Sequence, residues 1–79
     1  MKKDKLLQKA INNPGNIHFS EFEKLLKTHH FECIRSKGSH FHYYSAKYSR
    51  LLPVQEKNGM AKEYQVIQFL SILEENDAI

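Results

Sequence analysis

The segment KGSHFHYY, Lys37 to Tyr44, holds the residues best suited to chemistry in this chain. Histidine is the side chain whose unperturbed pKa, about 6.5, lets it take or give a proton near neutral pH. In an extended strand successive side chains alternate, so His40, His42 and Tyr44 share one face and Phe41 and Tyr43 the other. The more apolar pair belongs against a core, which turns both histidines outward. On pattern alone three roles stay open for them: a merely polar outer face, general acid–base chemistry, or metal binding. Two histidines at i and i+2 of a strand do project to one side. No Asp, Glu or Cys nearby completes a coordination set, however, so no metal is expected.

Other chemistries find less support. There is no Gly-rich phosphate loop of P-loop length and no GxSxG elbow. The carboxylates are scattered, which disfavours a two-metal nuclease. Cys33 is alone, which rules out an internal disulfide and a zinc site of four thiolates. Its expected place is a buried, inert position within a strand. His29 and His30 fall at a helix end, where capping is the default role. His18 stands just before that helix and carries no signal.

Elements that would position the histidine strand can be read from periodicity and turn residues. Leu6, Leu7, Ala10 and Ile11 form a helical stripe within Lys3 to Asn12, and NNPGN stops that helix. Ser20, with Glu23 three residues on, predicts a capped helix from Ser20 to His29, with Phe22, Leu25, Leu26 and His29 on one face. FECIRS, Phe31 to Ser36, reads as a strand; Lys37-Gly38 is a turn, with Gly38 free to take a positive φ. SHFHYYS is a second strand, AKYS a turn and RLLPVQ a third strand. Pro53 requires that strand to be at an edge or paired on one side there. EKNGMA reads as a loop. KEYQVIQFLSILEE is a helix with Val66, Ile67, Leu70 and Leu73 inward and Tyr64 and Phe69 flanking. The expected fold is α+β: an antiparallel three-stranded sheet with two helices on one face, plus an extra N-terminal helix.

The 79 residues suit one domain, residues 1–79, and 41 % apolar content is enough for a core. Net charge is +3, yet from Lys24 to Lys62 eight basic residues face only Glu32 and Glu56, while Glu74, Glu75 and Asp77 follow at the C-terminal end. A basic middle in a small domain favours a polyanionic partner, RNA or DNA first. No apolar run reaches the roughly 18 residues of a membrane span. The opening residues have no long apolar stretch or small-residue cleavage site, and the lone cysteine fits a reducing compartment. A cytoplasmic location without membrane contact is expected.

Taken together, FSEFEKLLKTHHFECIRSKGSHFHYY, RLLPVQ and AKEYQVIQFLSIL resemble the HicA family of bacterial toxin–antitoxin ribonucleases, over Ile17 to Leu73. The most specific piece is Arg35-x-Lys37-Gly38-Ser39-His40 followed by an aromatic strand; AKEYQVIQFL is the second. The resemblance implies an α-β-β-β-α core, residues 17–75, similar to a double-stranded-RNA-binding domain, with residues 3–12 as an added helix. It implies a cytoplasmic mRNA interferase that needs no cofactor, with His40 catalytic. It also implies a HicB-type antitoxin that masks the site, in a complex where oligomers form. Arg35, Lys37, Gly38, Ser39, His42 and Lys62 are the expected RNA contacts. The chain departs from the family pattern in two places. Gln55 stands where many relatives have a histidine after the third-strand Pro, and Glu63 where many have a proline opening the last helix.

Overall fold

The computed structural model describes residues 5–79. In order these form α1 (Lys5–Asn12), a single 3₁₀ turn (Pro14–Asn16), α2 (Phe19–Thr28), β1 (Glu32–Lys37), β2 (His40–Ser45), β3 (Arg50–Lys57), β4 (Met60–Ala61) and α3 (Glu63–Glu75). The fold is α+β, with an antiparallel sheet ordered β1-β2-β3-β4. Lys3 and Asp4 of the expected first helix lie outside the described residues.

The sheet has four strands rather than the three expected. Asn58 and Gly59 both have positive φ, 54° and 79°, which is the two-residue primed turn that Asn-Gly favours. The turn folds Met60 and Ala61 back on Lys57 and Glu56. On its far side β4 meets the chain entering α2: Ala61 N–H donates to the Ile17 carbonyl at 2.9 Å and Phe19 N–H to the Gly59 carbonyl at 2.9 Å.

One core joins all three helices to the inner sheet face. It includes Leu7 and Ala10 of α1, Phe19, Phe22, Leu25 and Leu26 of α2, Tyr43, Leu52, Val54 and Ala61 of the sheet, and Val66, Phe69, Ile72 and Leu73 of α3. The first helix is therefore part of the core, although Ile11 of its expected stripe is exposed. Around Phe69 gather the rings of Phe22 at 5.7 Å, Phe31 at 5.9 Å and His29 at 5.9 Å. That cluster sets the rotation of α3. Phe69 is fully buried and Ile67 exposed, the reverse of the expected inner face.

Both ends of α2 differ from expectation or refine it. The helix caps at His18, two residues before Ser20, and Glu21 rather than Glu23 accepts the cap N–H, at 2.9 Å. Burying Phe19, whose ring lies 5.1 Å from that of Phe41, selects this frame. Glu23 is thereby free to accept the Tyr43 hydroxyl at 2.9 Å. At the other end His29 is the C-cap and His30, at φ 74°, takes the left-handed position. His30 N–H reaches the Lys27 carbonyl and Phe31 N–H the Leu26 carbonyl, the two bonds of a Schellman motif.

Candidate functional site

The two-residue turn Gly38-Ser39 joins β1 to β2, with Lys37 paired to His40 and Gly38 at φ 61°. A positive φ at the first loop position matches the right-handed twist of the strands and favours glycine. Strand alternation is as the sequence suggests. Tyr43 is buried and Phe41 packs on the core, while His40 and Tyr44 are exposed and His42 is half-buried on the other face. Burial and the Glu23 hydrogen bond hold the Tyr43 phenol well above its usual range, so it stays a neutral donor on the inner side.

Residues directly opposite in an antiparallel pair project from the same face, with Cβ atoms about 5 Å apart. The register therefore builds two rungs on the outer face: Lys37, His40 and Gln55, then Arg35, His42 and Pro53. Arg35 reaches this face through an irregularity. Cys33 pairs with Tyr43 and Arg35 with His42, leaving Ile34 as an extra, unpaired residue. Simple alternation puts Cys33, Arg35 and Lys37 on one side; the bulge at Ile34 reverses the phase and carries Arg35 and Lys37 to the histidine face.

Arg35, Lys37, Gly38, Ser39, His40 and His42 together line one open cleft of about 620 Å³. Among the described residues, no side-chain hydrogen bond or ion pair engages Arg35, Lys37, His40 or His42. Two cations elsewhere are paired: Lys9 with Glu21 at 3.0 Å and Arg50 with Glu75 at 2.9 Å. The cleft thus presents a guanidinium, an ammonium and two imidazoles to solvent with no internal anion. Such a site suits a phosphate, held by the cations beside groups able to move protons. No group of three or more His, Cys, Asp or Glu able to hold a metal occurs among the described residues.

Lys62 stands apart from this cleft. It is the N-cap of α3, whose first turn is tied to the sheet by Gln65. The Gln65 Oε1 accepts the Gln55 N–H at 2.8 Å, on the side of β3 that faces away from β2. Two residues earlier the Pro53 nitrogen faces that same side, beyond the reach of β4, so its missing N–H leaves no carbonyl unpaired. Pro53, as expected, pairs on one side only.

Cys33 is exposed, contrary to expectation, with its thiol 3.4 Å from the Arg35 carbonyl. The cause is that β1 is an edge strand beyond the cover of the helices, exposed along its whole length. Gln55 and Pro53 are the third members of the two rungs; the resemblance marked Gln55 as a departure, and strand register sets it directly opposite His40. No described helix is long and apolar enough to cross a membrane. Comparison of the chain with protein-family models, with curated proteins and with solved structures finds no match in any of the three.

Proposed function

We propose that this protein is a HicA-type toxin: a cytoplasmic endoribonuclease that cuts messenger RNA without a metal and is restrained by a HicB-type antitoxin. The observation that carries the proposal is the single cleft joining Arg35, Lys37, Gly38, Ser39, His40 and His42, with its cations uncommitted. The order α2-β1-β2-β3-α3 agrees with the double-stranded-RNA-binding-like core proposed for it.

In the proposed reaction the RNA 2′-oxygen attacks the adjacent phosphorus and the bond to the 5′-oxygen breaks. The products are a 2′,3′-cyclic phosphate and a 5′-hydroxyl. One proton leaves the 2′-hydroxyl and one arrives at the 5′-oxygen, so no proton is consumed overall. His40, next to the turn, performs one of these transfers, an effect worth about 10²- to 10⁴-fold. His42, two residues along the same face, is the other imidazole of the cleft. Arg35 and Lys37 hold the phosphate and stabilise the charge that builds on it. Gly38, with no Cβ, allows the strand backbone to approach it. Lys62, outside the cleft, would contribute attraction to more distant phosphates only.

His40→Ala should fold like the wild type and lose cleavage; a folded variant that cuts RNA at the wild-type rate refutes the assignment. Activity should survive EDTA, and its loss would transfer weight to metal chemistry.

One observation favours a second reading, a non-catalytic RNA-binding module. The residue directly opposite His40 on β3 is Gln55, an amide that cannot titrate. Cyclic-phosphate ends after incubation of RNA with purified protein would reject the module; intact RNA that is nonetheless bound would support it.

A further inference from the structure

We infer that the other end of the same sheet face carries a second nucleotide subsite, with a phosphate between Lys27 and Lys47 and a base on the Tyr44 ring. The inference rests on the proposal that RNA is the ligand of the His40 cleft. A separate cleft of about 470 Å³ opens where the end of α2 meets the β2–β3 turn, with Lys27, His30, Glu32, Tyr44 and Lys47 in its lining. Tyr44 points outward like His40, four residues further along β2, or about 13 Å at strand rise. A single RNA strand lying along β2 would cross that distance within a few nucleotides. Both clefts then belong to one track.

The lining has the two parts that single-strand binding uses, a cation for the backbone and an exposed aromatic ring for a base. Lys47 Nζ lies 3.5 Å from His30 Nε2 and 5.8 Å from the centre of the Tyr48 ring, so its ammonium is held against the wall by two rings and by no carboxylate among the described residues. Among the described residues no carboxylate pairs with Lys27 or Lys47. The one acid in the lining, Glu32, is the β1 partner of Tyr44. It repels phosphate from its own side and offers an acceptor to a base edge, which fixes the polarity of the subsite. His30 supports the arrangement at a conformational cost, since it keeps a positive φ where glycine is the usual residue.

The test uses the full chain carrying His40→Ala, so that RNA stays intact, and fluorescein-labelled RNAs of about six and of two nucleotides, by anisotropy at several salt concentrations. Adding Lys27→Gln and Lys47→Gln should weaken hexamer binding and shrink the slope of log K against log salt by about 0.7 for each phosphate that the protein no longer neutralises. Dinucleotide binding, confined to the first cleft, should not change. Tyr44→Leu should weaken the hexamer about five- to hundredfold with the salt slope unchanged. Tyr44→Trp should give a fluorescence signal quenched by the hexamer, in a chain that has no other tryptophan. Circular dichroism confirms that each variant is folded. Hexamer affinity and slope unchanged in the lysine and tyrosine variants would overturn the subsite, as would absence of RNA binding by the His40→Ala parent. If the variants bind as expected while wild-type protein leaves RNA intact, the subsite stands and the ribonuclease proposal falls. Cleavage by the wild type with no effect of the variants gives the reverse.

Discussion

Gly38 offers a test in which backbone conformation can be separated from packing. It sits at φ 61°, and an added Cβ would meet no atom within 4 Å. Gly38→Ala therefore carries no steric clash, only the cost of holding an L-residue at positive φ, about 1–2 kcal/mol. A chain of this size has a total stability of roughly 4–12 kcal/mol, so the variant remains folded at 25 °C. With a urea m-value of about 1 kcal/mol/M, the unfolding midpoint should fall by roughly 1–2 M with m unchanged. A D-alanine at position 38, introduced by chemical synthesis, prefers positive φ and should restore the midpoint to near that of glycine or above it. RNA binding should follow the same order, because the turn sets the Lys37–His40 rung. Equal loss for both alanine enantiomers, or no loss for L-alanine, would refute the conformational account. Gly59, at φ 79° and equally open, should behave alike for stability.

Further perturbations read out other parts of the structure. The His18 backbone N–H and the Lys9 ammonium hold the Glu21 carboxyl below its ordinary 4.5. Its contribution is therefore full above that pH and disappears as pH falls through the lowered value. Glu21→Gln should cost about 0.5–1 kcal/mol at pH 7 in urea unfolding, and the gap to wild type should narrow as the pH falls below 4.5. His30→Gly relieves a positive φ and should raise stability by about 1 kcal/mol by thermal or urea unfolding, while weakening binding of the RNA hexamer. A binding loss without a stability loss is an outcome that a purely structural His30 cannot produce. Tyr43→Phe leaves the Glu23 carboxylate without its donor and should cost about 1 kcal/mol, with RNA binding unchanged because that hydroxyl is on the inner face.

Much of the fold could be read from local pattern because one physical effect dominated there. Phe41 and Tyr43 alternate with the histidines, and their burial alone determines which way the strand faces. Lys37-Gly38 marks a turn because few residues other than glycine accept its φ. Misreadings arose where two local solutions were nearly equal. Glu21 and Glu23 each offer a capping frame, and a tertiary contact, Phe19 on Phe41, decides between them. Val66 and Leu73 fit two rotations of α3, and the ring cluster around Phe69 chooses one. Asn58-Gly59 did carry a hairpin signal, but Met60-Ala61 is too short to look like a strand until its partners are in place. The Gly-Ser-His core of the site was visible in the sequence. Arg35 was named beside it through the resemblance, but the bulge that turns Arg35 to the histidine face was not legible, because no alternation rule contains it.

The same bulge has a consequence for association. Among the described residues no strand pairs with the outer edge of β1, and Ile34 and Cys33 are exposed along it. A straight edge of that kind is a template on which another chain can add a strand. The extra residue at Ile34 breaks the spacing of its hydrogen-bonding groups near the middle, leaving only short runs on either side in step with an incoming strand. An irregularity that brings Arg35 into line with the histidines thus also keeps copies of this chain from zipping together edge to edge.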